Sequence, residues 1–321
     1  MDKNSITSVL VPGAAAPAGI NTIKALRLDK YGGKIIASDS NSMSAGFFMA
    51  DAGEVTPEAD DELFLKRLIE IIGKHGVKVL MPSSGYDIYP YSVNKERLMS
   101  LGAIPVVSDR DTLEICRDKI LTFKRLSKKY DLPFTTLDPN KIRKFPVIAK
   151  PRFGKGSKGI LKINDEIDLR YIISKNEDLI FQEYLPGIEY TIDVLSTLEK
   201  KALLAVPRIR LQTKAGISTK GRIVIDEDIQ SICKSVVDDL KIIGPCCIQM
   251  KESEDGVLKF LEVNPRLGGG TMFTTLAGAN FPAMILDMVA GNDPFIPIIS
   301  EITIIRYFEE IVLHNQDVEK I

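Results

Sequence analysis

The chain has 321 residues, of which 45% are hydrophobic and 26% are charged, with a mean hydropathy of +0.04. This composition is typical of globular proteins with a sizeable core and excludes disordered, collagen-like and membrane-embedded chains. Forty-two basic residues are balanced by 43 acidic residues, so no strongly basic surface is predicted and nucleic acid is excluded as the default partner. The length indicates two domains or three small ones.

Cysteine and histidine are scarce. The chain has only two histidines and four cysteines, and the adjacent pair Cys246–Cys247 lacks the spacing of a zinc site. No apolar run reaches the roughly 18 residues that a membrane span needs, and the first five residues lack the apolar core of a secretory signal. We therefore expect reduced thiols in a cytoplasmic protein with no membrane partner.

The first hundred residues alternate short β-branched runs with amphipathic helical patterns. The predicted strands cover 8–11, 34–37, 77–81 and 104–107, and the predicted helices cover 18–28, 63–73 and 91–101. This alternation predicts a parallel sheet wrapped by helices, in which ligands bind at the carboxyl ends of the strands. The loops at that edge are 13–17, 39–44 and 83–87.

The pattern changes after residue 108. A helical stretch over about 112–130 has a predicted break at 117–118, and it is followed by short strands at 147–150, 159–163, 179–183, 190–196, 202–207, 248–251 and 258–263. Tight turns between these strands favour antiparallel hairpins. We further predict a polar loop over 214–222, an apolar helix over 281–290 and a closing strand or two within 302–313.

The segment 150–159, with sequence KPRFGKGSKG, is the first candidate for binding chemistry. It places Lys150 at a strand end before Gly154, Gly156 and Gly159, a composition that lets backbone amides and cations approach an anion. A dinucleotide-binding loop requires a helix next, but a strand follows, and the Walker and protein-kinase motifs are absent. The remaining interpretations are a hairpin flap over phosphates and a solvated basic turn.

A second candidate is the box Glu262–Val263–Asn264–Pro265–Arg266. Glu262 and Asn264 face the same side of a strand, and Gln249 joins them if the turn near 254–256 closes a hairpin. One carboxylate and two amides supply hard oxygen ligands for Mg²⁺ held together with phosphates, and Arg266 can bind a phosphoryl or carboxylate oxygen. The alternative is a capping turn with a surface ion pair.

The segment 181–191, FQEYLPGIEYT, is a third candidate in which one strand crosses into the next. Such a crossing can present backbone groups to an adenine edge, with Glu189 reaching ribose hydroxyls. An ordinary loop explains this segment equally well.

These three segments, in this order, resemble the ATP-grasp superfamily, and most closely the ATP-binding half of the carbamoyl-phosphate synthase large chain. The likeness covers about residues 8–291, including the Asp118–Lys119 pair, and the Glu-x-Asn-Pro-Arg box is its most specific part. It implies a mixed α/β and α+β fold, with a Rossmann-like preATP-grasp domain at 1–108 followed by a two-lobed ATP-grasp domain at 109–321. The small lobe would cover about 120–187.

The resemblance also implies roles for individual residues. Phosphate ligands are Lys119 and Lys150, and the closing flap includes Gly154, Gly156, Ser157 and Gly159. Adenine is held by Gln182, Glu183, Tyr184 and Leu185, and ribose by Glu189. Two Mg²⁺ ions, with Mn²⁺ as an alternative, are held by Gln249, Glu262 and Asn264, while Arg266 stabilises the phosphorylated intermediate. Gln182 departs from the glutamate that many relatives have at this position.

The implied activity is ATP-dependent ligation through an acyl phosphate, joining a small-molecule carboxylate to an amine, or to a thiol. ADP and phosphate would be released. The chain contains one ATP-binding half and no glutaminase, which argues against ammonia-fed carbamoyl phosphate synthesis. A small-acid kinase related to carbamoyl-phosphate synthase and a non-catalytic nucleotide-binding subunit are the alternatives.

Substrate residues are less clearly indicated. Asp87 is a candidate for receiving an amino group or for capping a helix, and Arg210 or Lys220 for binding the acceptor carboxylate or for facing solvent. Gly269, in a glycine-rich turn after the Arg266 box, is a candidate for an anion pocket or for a simple turn. A homodimer is one alternative, because homodimers are common among relatives.

Overall fold

The computed structural model describes residues 6–154, 159–175 and 178–314. The first part is a parallel sheet with strand order β3-β2-β1-β4-β5. Its strands are β1 (Ser8–Pro12), β2 (Lys34–Asp39), β3 (Ala52–Val55), β4 (Val79–Leu80) and β5 (Ile104–Pro105), and its helices are α1 (Pro17–Leu28), α2 (Ala45–Met49), α3 (Phe64–His75), α4 (Ile88–Val93) and α5 (Lys95–Ser100).

Two consecutive helices, α6 (Arg110–Arg117) and α7 (Lys119–Leu126), lead out of the parallel sheet. The chain breaks between them because Asp118 has an extended backbone and its carboxylate caps α7 by accepting the amide hydrogens of Ile120 and Leu121. This confirms the predicted break.

A four-stranded antiparallel sheet follows, with strand order β6-β9-β7-β8. It consists of β6 (Thr135–Thr136), β7 (Val147–Pro151), β8 (Leu161–Ile163) and β9 (Leu179–Glu183), with α8 (Glu166–Ile173) between β8 and β9. The hairpin β7–β8 carries the glycine-rich segment, as predicted.

The largest sheet has six antiparallel strands in the order β14-β13-β10-β11-β12-β15. Its strands are β10 (Glu189–Ser196), β11 (Ala202–Lys214), β12 (Ile217–Ile223), β13 (Pro245–Glu252), β14 (Leu258–Asn264) and β15 (Thr303–Ile305), with helices α9 (Glu227–Asp239), α10 (Thr271–Leu276) and α11 (Phe281–Val289). One parallel and two antiparallel sheets confirm the predicted fold class.

The six-stranded sheet has a different partner on each face. On one face, Ile192 and Val194 pack against Val236 of α9. On the other, Leu195 and Val206 share a hydrophobic core with α11, α1 and the parallel sheet. A hydrogen bond also joins α11 to α1, since the side-chain amide of Asn280, at the N-cap of α11, donates to the carbonyl of Ala25. The carboxyl ends of the parallel strands are thereby held over the six-stranded sheet. The domain boundary near 108 stays a prediction.

Several local predictions were wrong. Residues 91–101 are not one helix, because α4 and α5 are separate and meet at Asn94. The expected loop at 214–222 is a hairpin, in which a tight turn at Ala215–Gly216, both with positive φ, returns β11 into β12. Within 302–313 the structure contains one short strand, β15. The sequence interpretation also missed α2, β3, β6, α8, α9 and α10. Among the described residues, no helix is long and apolar enough to cross a membrane.

Candidate active site

A cavity of about 220 Å³ lies between the two antiparallel sheets; we call it the inter-sheet cavity. Residues from five separate parts of the chain line it: the start of α7, the β7–β8 hairpin, the β9–β10 crossing, β11 and the β13–β14 hairpin. The predicted site residues among them are Lys119, Lys150, Gly154, Gln182, Glu183, Tyr184, Leu185, Glu189, Arg210, Gln249 and Glu262. The structure thus brings the three sequence segments to one cleft.

Lys150 lies at the end of β7 and is buried, with 7% of its surface exposed. Its ammonium group donates to Oε1 of Gln182 at 2.7 Å, and the Gln182 amide nitrogen donates to the Thr135 hydroxyl at 3.0 Å. Burial lowers the pKa of Lys150 to about 8, and nearby Glu262 offsets part of that effect. Because Gln182 is neutral, it orients the ammonium without neutralising it.

Lys119 and Asp118 contact the base of the β7–β8 hairpin. The Lys119 ammonium lies 3.4 Å from the carbonyl of Arg152 and 3.3 Å from that of Gly154. Asp118 accepts three hydrogen bonds from the Arg152 guanidinium, from Nε at 2.9 and 3.0 Å and from Nη2 at 2.5 Å. Burial lowers the pKa of Lys119, and Glu262 counteracts this. The start of α7 therefore anchors the stem of the glycine-rich hairpin.

The far end of the hairpin is described only in part. Gly159 has φ +72°, and a Cβ there would lie 3.0 Å from Cγ of Pro151, so this position requires glycine. Gly156 and Ser157 lie outside the described residues, and their predicted role as a flap stays a prediction.

At the β9–β10 crossing, the Glu183 carboxylate is not available to a ligand. It accepts from the Lys259 ammonium at 2.8 Å and from the amide of Phe134 at 3.1 Å. The adjoining residues Tyr184 and Leu185 line the inter-sheet cavity as well. The adenine role predicted for Glu183 is therefore limited to its backbone.

Apolar walls of the inter-sheet cavity were missed by the sequence interpretation. Ile148, Ile160 and Leu261 line it from opposite sheets. Leu261 reaches the cavity because of an irregularity in the ladder: Gln249 pairs with Glu262 but Met250 pairs with Phe260, which leaves Leu261 as an extra residue. The alternation of Ile148 with Lys150 along one strand was the available signal for the first of these residues.

Gln249, Glu262 and Asn264 lie together on the β13–β14 hairpin, with Gln249 and Glu262 directly opposite. Within the described residues, the side chains of these three make no recorded hydrogen bond to the protein, although none of them is fully exposed. All three line a second, larger cavity, and Gln249 and Glu262 line the inter-sheet cavity as well. Carboxylate and amide oxygens that make no hydrogen bond within the described residues, and that lie between two cavities, can act as ligands for a Mg²⁺ ion that also binds phosphates.

The second cavity, of about 640 Å³, lies between the carboxyl edge of the parallel sheet and the six-stranded sheet; we call it the outer cavity. The end of β2 contributes Asp39 and the segment between β4 and α4 contributes Asp87, while the glycine turn 268–270 also lines this cavity. Arg266 also lines it, with Nη1 donating to the carbonyl of Leu267 at 2.9 Å. The outer cavity thus begins at the candidate metal ligands Gln249, Glu262 and Asn264 and extends toward the parallel sheet, away from the inter-sheet cavity.

The candidate substrate residues have different environments. Gly269 and Arg210 line the outer cavity, but Arg210 is also paired with Glu189. Asp87 lines the cavity from the N-cap position of α4, where its side chain makes no capping hydrogen bond. Lys220 is exposed on β12 opposite Ile305 and does not line the outer cavity, so it is the one candidate that the fold directs elsewhere.

Comparison with known proteins identifies the class. A family model described as ATP-grasp in the biosynthetic pathway with Ter operon matches residues 175–310. D-aspartate ligase of Enterococcus faecium is 25% identical over 76% of this chain and 67% of its own length. The carbamoyl phosphate synthase large chain of Clostridium perfringens is 24% identical over 78% of this chain, which spans only 25% of that protein.

A solved structure supports the same class. The biotin carboxylase domain of Hydrogenobacter thermophilus 2-oxoglutarate carboxylase, in complex with MgADP, ADP and bicarbonate, superposes with a TM-score of 0.71 at 15% identity. The match covers 89% of this chain and 70% of that one. The chain is therefore similar to ATP-grasp proteins in its sequence and in its fold. The comparisons confirm its resemblance to carbamoyl-phosphate-synthase-like ATP-grasp ligases and the prediction that it is an enzyme of this class.

Proposed function

We propose that the protein is an ATP- and Mg²⁺-dependent ligase that activates a small carboxylate and joins it to an amine. The observation that carries this proposal is the adjacency of two cavities. Gln249 and Glu262 line both, so a nucleotide held near Lys150 would direct its terminal phosphate toward the outer cavity. A small-molecule acid and amine would occupy that outer cavity.

The nucleotide would lie in the inter-sheet cavity. Ile148, Ile160 and Leu261 supply apolar contacts for a purine, while Lys119 and Lys150 supply positive charge for phosphates. Gln249, Glu262 and Asn264 would hold Mg²⁺, which neutralises phosphate charge and polarises the phosphoryl group. We keep the assignment of Glu189 to ribose as part of this proposal.

The proposed reaction has two steps. A carboxylate oxygen of the acid attacks the γ-phosphorus of ATP, the bond to the β-phosphate oxygen breaks, and ADP leaves. The amine then attacks the carbonyl carbon of the acyl phosphate, phosphate leaves with the bonding electron pair, and the amine loses a proton. Arg266, which lines the outer cavity together with Glu262 and Asn264, would balance the charge of the transferred group. The name of the relative D-aspartate ligase supports substrates that carry carboxylate and amine groups, since D-aspartate has both.

An assay of coupled product formation tests the proposal. The purified chain is incubated with MgATP and pairs of small carboxylates and amines, and ADP, phosphate and the condensed product are measured by enzyme-coupled absorbance and mass spectrometry. We expect one product per ADP and phosphate released. A stable phosphorylated acid without condensation, or absence of nucleotide binding by calorimetry, would overturn the proposal.

A metal-site variant gives a matched control. Glu262→Gln removes the only carboxylate among the three proposed ligands, and we expect at least a hundredfold loss of kcat. Glu254→Gln changes an exposed carboxylate on the same hairpin, paired with Lys144 at the surface, and should leave turnover unchanged. Equal activity of Glu262→Gln and the native protein would refute the assignment.

We also propose a cytoplasmic location and a homodimer. The four cysteines are free and buried, which suits a reducing compartment. Large apolar side chains near the end of the described chain are exposed, including Ile298 and Phe308, and such a surface suits a second copy. Light scattering should give twice the 35.5-kDa chain mass, and a monomer at micromolar concentration would refute the dimer.

A further inference from the structure

Arg208, on β11, is buried in the wall of the outer cavity, and the carboxylate charge near its guanidinium does not fully balance the positive charge. Its side chain is 2% exposed, and Nη1 donates to the Ser218 hydroxyl at 2.9 Å. The nearest carboxylate, that of Asp193, lies 4.0 Å from Nη2, and Nε has no hydrogen-bond partner among the described residues. A buried guanidinium is costly when its hydrogen-bonding groups are unpaired.

A second arginine adds to this excess of positive charge. Arg208 and Arg306 both lie over the ring of Phe273, at 5.1 and 4.7 Å from its centroid. Burial, with Arg208 close by, lowers the pKa of Arg306 to about 10. Asp193 also accepts from the Thr274 hydroxyl at 2.6 Å, so one shared carboxylate faces two guanidinium groups. Among the described residues, two guanidinium groups thus share one carboxylate, so the local charge is positive.

The adjacent glycine turn supplies further donors. A Cβ at Gly270 would lie 2.7 Å from Cζ of Arg208, so the guanidinium rests against this backbone. Within the described part of the chain, the amide N–H groups of Gly269 and Gly270 have no recorded acceptor, and the turn lines the outer cavity. Guanidinium and free amides side by side form an arrangement that binds carboxylates.

The register of the six-stranded sheet sets the distance between Arg208 and the candidate metal ligand Glu262. Arg208 pairs with Thr191, Thr191 with Gln249, and Gln249 with Glu262, so these residues form one row on one face of the sheet. Three steps between strands correspond to about 14 Å between the backbones of Arg208 and Glu262. Arg208 is therefore placed to bind the non-reacting end of a substrate.

We propose that Arg208 and the amides of Gly269 and Gly270 bind the free carboxylate of the amine substrate, which makes this substrate an amino acid or a related amino-carboxylate. This inference rests on the proposed function, because it places the amine of the same molecule near Glu262 and Arg266. The acidic side chains of Asp39 and Asp87 on the opposite wall suit the positive charge of an amino acid before it loses its proton.

The test compares acids with their amides on the complete chain. Protein saturated with Mg²⁺ and a non-hydrolysable ATP analogue is titrated with an equimolar mixture of the twenty L-amino acids, D-alanine and D-aspartate, and separately with the corresponding α-carboxamides. We expect the acid mixture to raise Tm by about 3 °C and the amide mixture to leave it unchanged. A response to both mixtures, or to neither, would overturn the proposal.

Three variants separate binding from a merely structural role. Arg208→Met should abolish the response to the acids while keeping the response to the ATP analogue. Gly269→Ala introduces a Cβ with ordinary contacts, 3.6 Å from Cβ of Pro17, and should weaken the acid response several-fold without changing Tm in the absence of ligand. Arg222→Met, an exposed position on the neighbouring strand β12, is the control and should behave as the native protein.

The outcomes distinguish the two proposals. If the native protein does not respond to the ATP analogue, the proposed function fails. If it responds to nucleotide, and Arg208→Met is destabilised but still discriminates acids from amides, Arg208 has a structural role and the carboxylate site is refuted. Should Arg208→Met not fold, the Gly269→Ala result decides, since an unchanged acid response there refutes the site.

Discussion

Arg210 and Glu189 form an ion pair where the inter-sheet cavity and the outer cavity meet. The two residues adjoin the pair Tyr190–Ile209, where the β10–β11 ladder begins. Nη1 of Arg210 donates to Oε1 of Glu189, and Nη2 donates to the carbonyl of Gly216 at 2.6 Å. Both residues line the inter-sheet cavity, and Arg210 lines the outer cavity as well. The pair therefore connects the proposed ribose position with the β11–β12 turn.

This pair should be energetically coupled. Arg210→Met and Glu189→Gln each leave a mostly buried polar partner unsatisfied, so we expect each to lower the free energy of unfolding by about 1–3 kcal/mol. The double variant should lose at least about 1 kcal/mol less than the two single losses combined. Urea denaturation of the four proteins measures this coupling, and strictly additive losses would contradict it.

Nucleotide affinity should depend on the protonation of Lys150. Because burial lowers its pKa to about 8, the ammonium that attracts phosphate is lost as the pH rises through that value. We expect the Kd for MgATP to rise by up to about tenfold per pH unit between pH 8 and 9.5. Calorimetry measures the profile, and Lys150→Met should bind weakly with no such rise. An equally flat profile in the native protein would contradict the prediction.

The same lysine predicts the sign of a stability change in the absence of ligand. The pKa of Lys150 lies lower in the folded protein than in the unfolded chain, where it is near the ordinary 10.5. Between about pH 8 and 10.5 the unfolded state holds more protons, so the contribution of Lys150 to stability rises with pH. Lys150→Met should remove that contribution, which the difference between the two unfolding profiles from pH 7.5 to 10 would show.

Gln182 should matter because it is neutral. Gln182→Glu would place a carboxylate against the Lys150 ammonium, raise the pKa of Lys150 and neutralise the charge available to phosphate. We expect weaker MgATP binding at pH 7.5 and a shift of the pH break to higher values. Thr135→Val removes the partner that orients Gln182 without adding charge, so it should leave the break near pH 8. An unchanged pH profile in Gln182→Glu would refute this role.

Asp118 performs two structural tasks that substitutions can separate. Asp118→Asn retains an N-cap oxygen for α7 but loses the charged pairing with Arg152, whereas Asp118→Ala loses both. We expect Asp118→Ala to be less stable than Asp118→Asn by about 1 kcal/mol in urea denaturation. Both variants should increase proteolysis at the β7–β8 hairpin, because its stem is no longer anchored. Equal stability of the two would show that the cap contributes nothing.

The sequence alone determined the order and type of most core elements. Hydrophobic periodicity identified α1, α3 and α11, and β-branched runs identified β1, β7 and β9, because each of these elements buries one regular face. It also placed Lys150, Glu262 and Asn264 at strand ends or on one strand face, since side-chain direction along a strand follows from spacing alone. The resemblance that these motifs carry implied the class of the protein.

The tertiary structure decided which residues share a cavity and which are already occupied. The pairing of Gln249 with Glu262, the extra residue Leu261 in that ladder and the distance from Arg208 to Glu262 all depend on strand register, which no local pattern specifies. Pairing across strands also directed Glu183 to Lys259 and left Arg208 buried beside a glycine turn. These contacts join residues far apart in the chain, so their energies enter only when the sheets assemble.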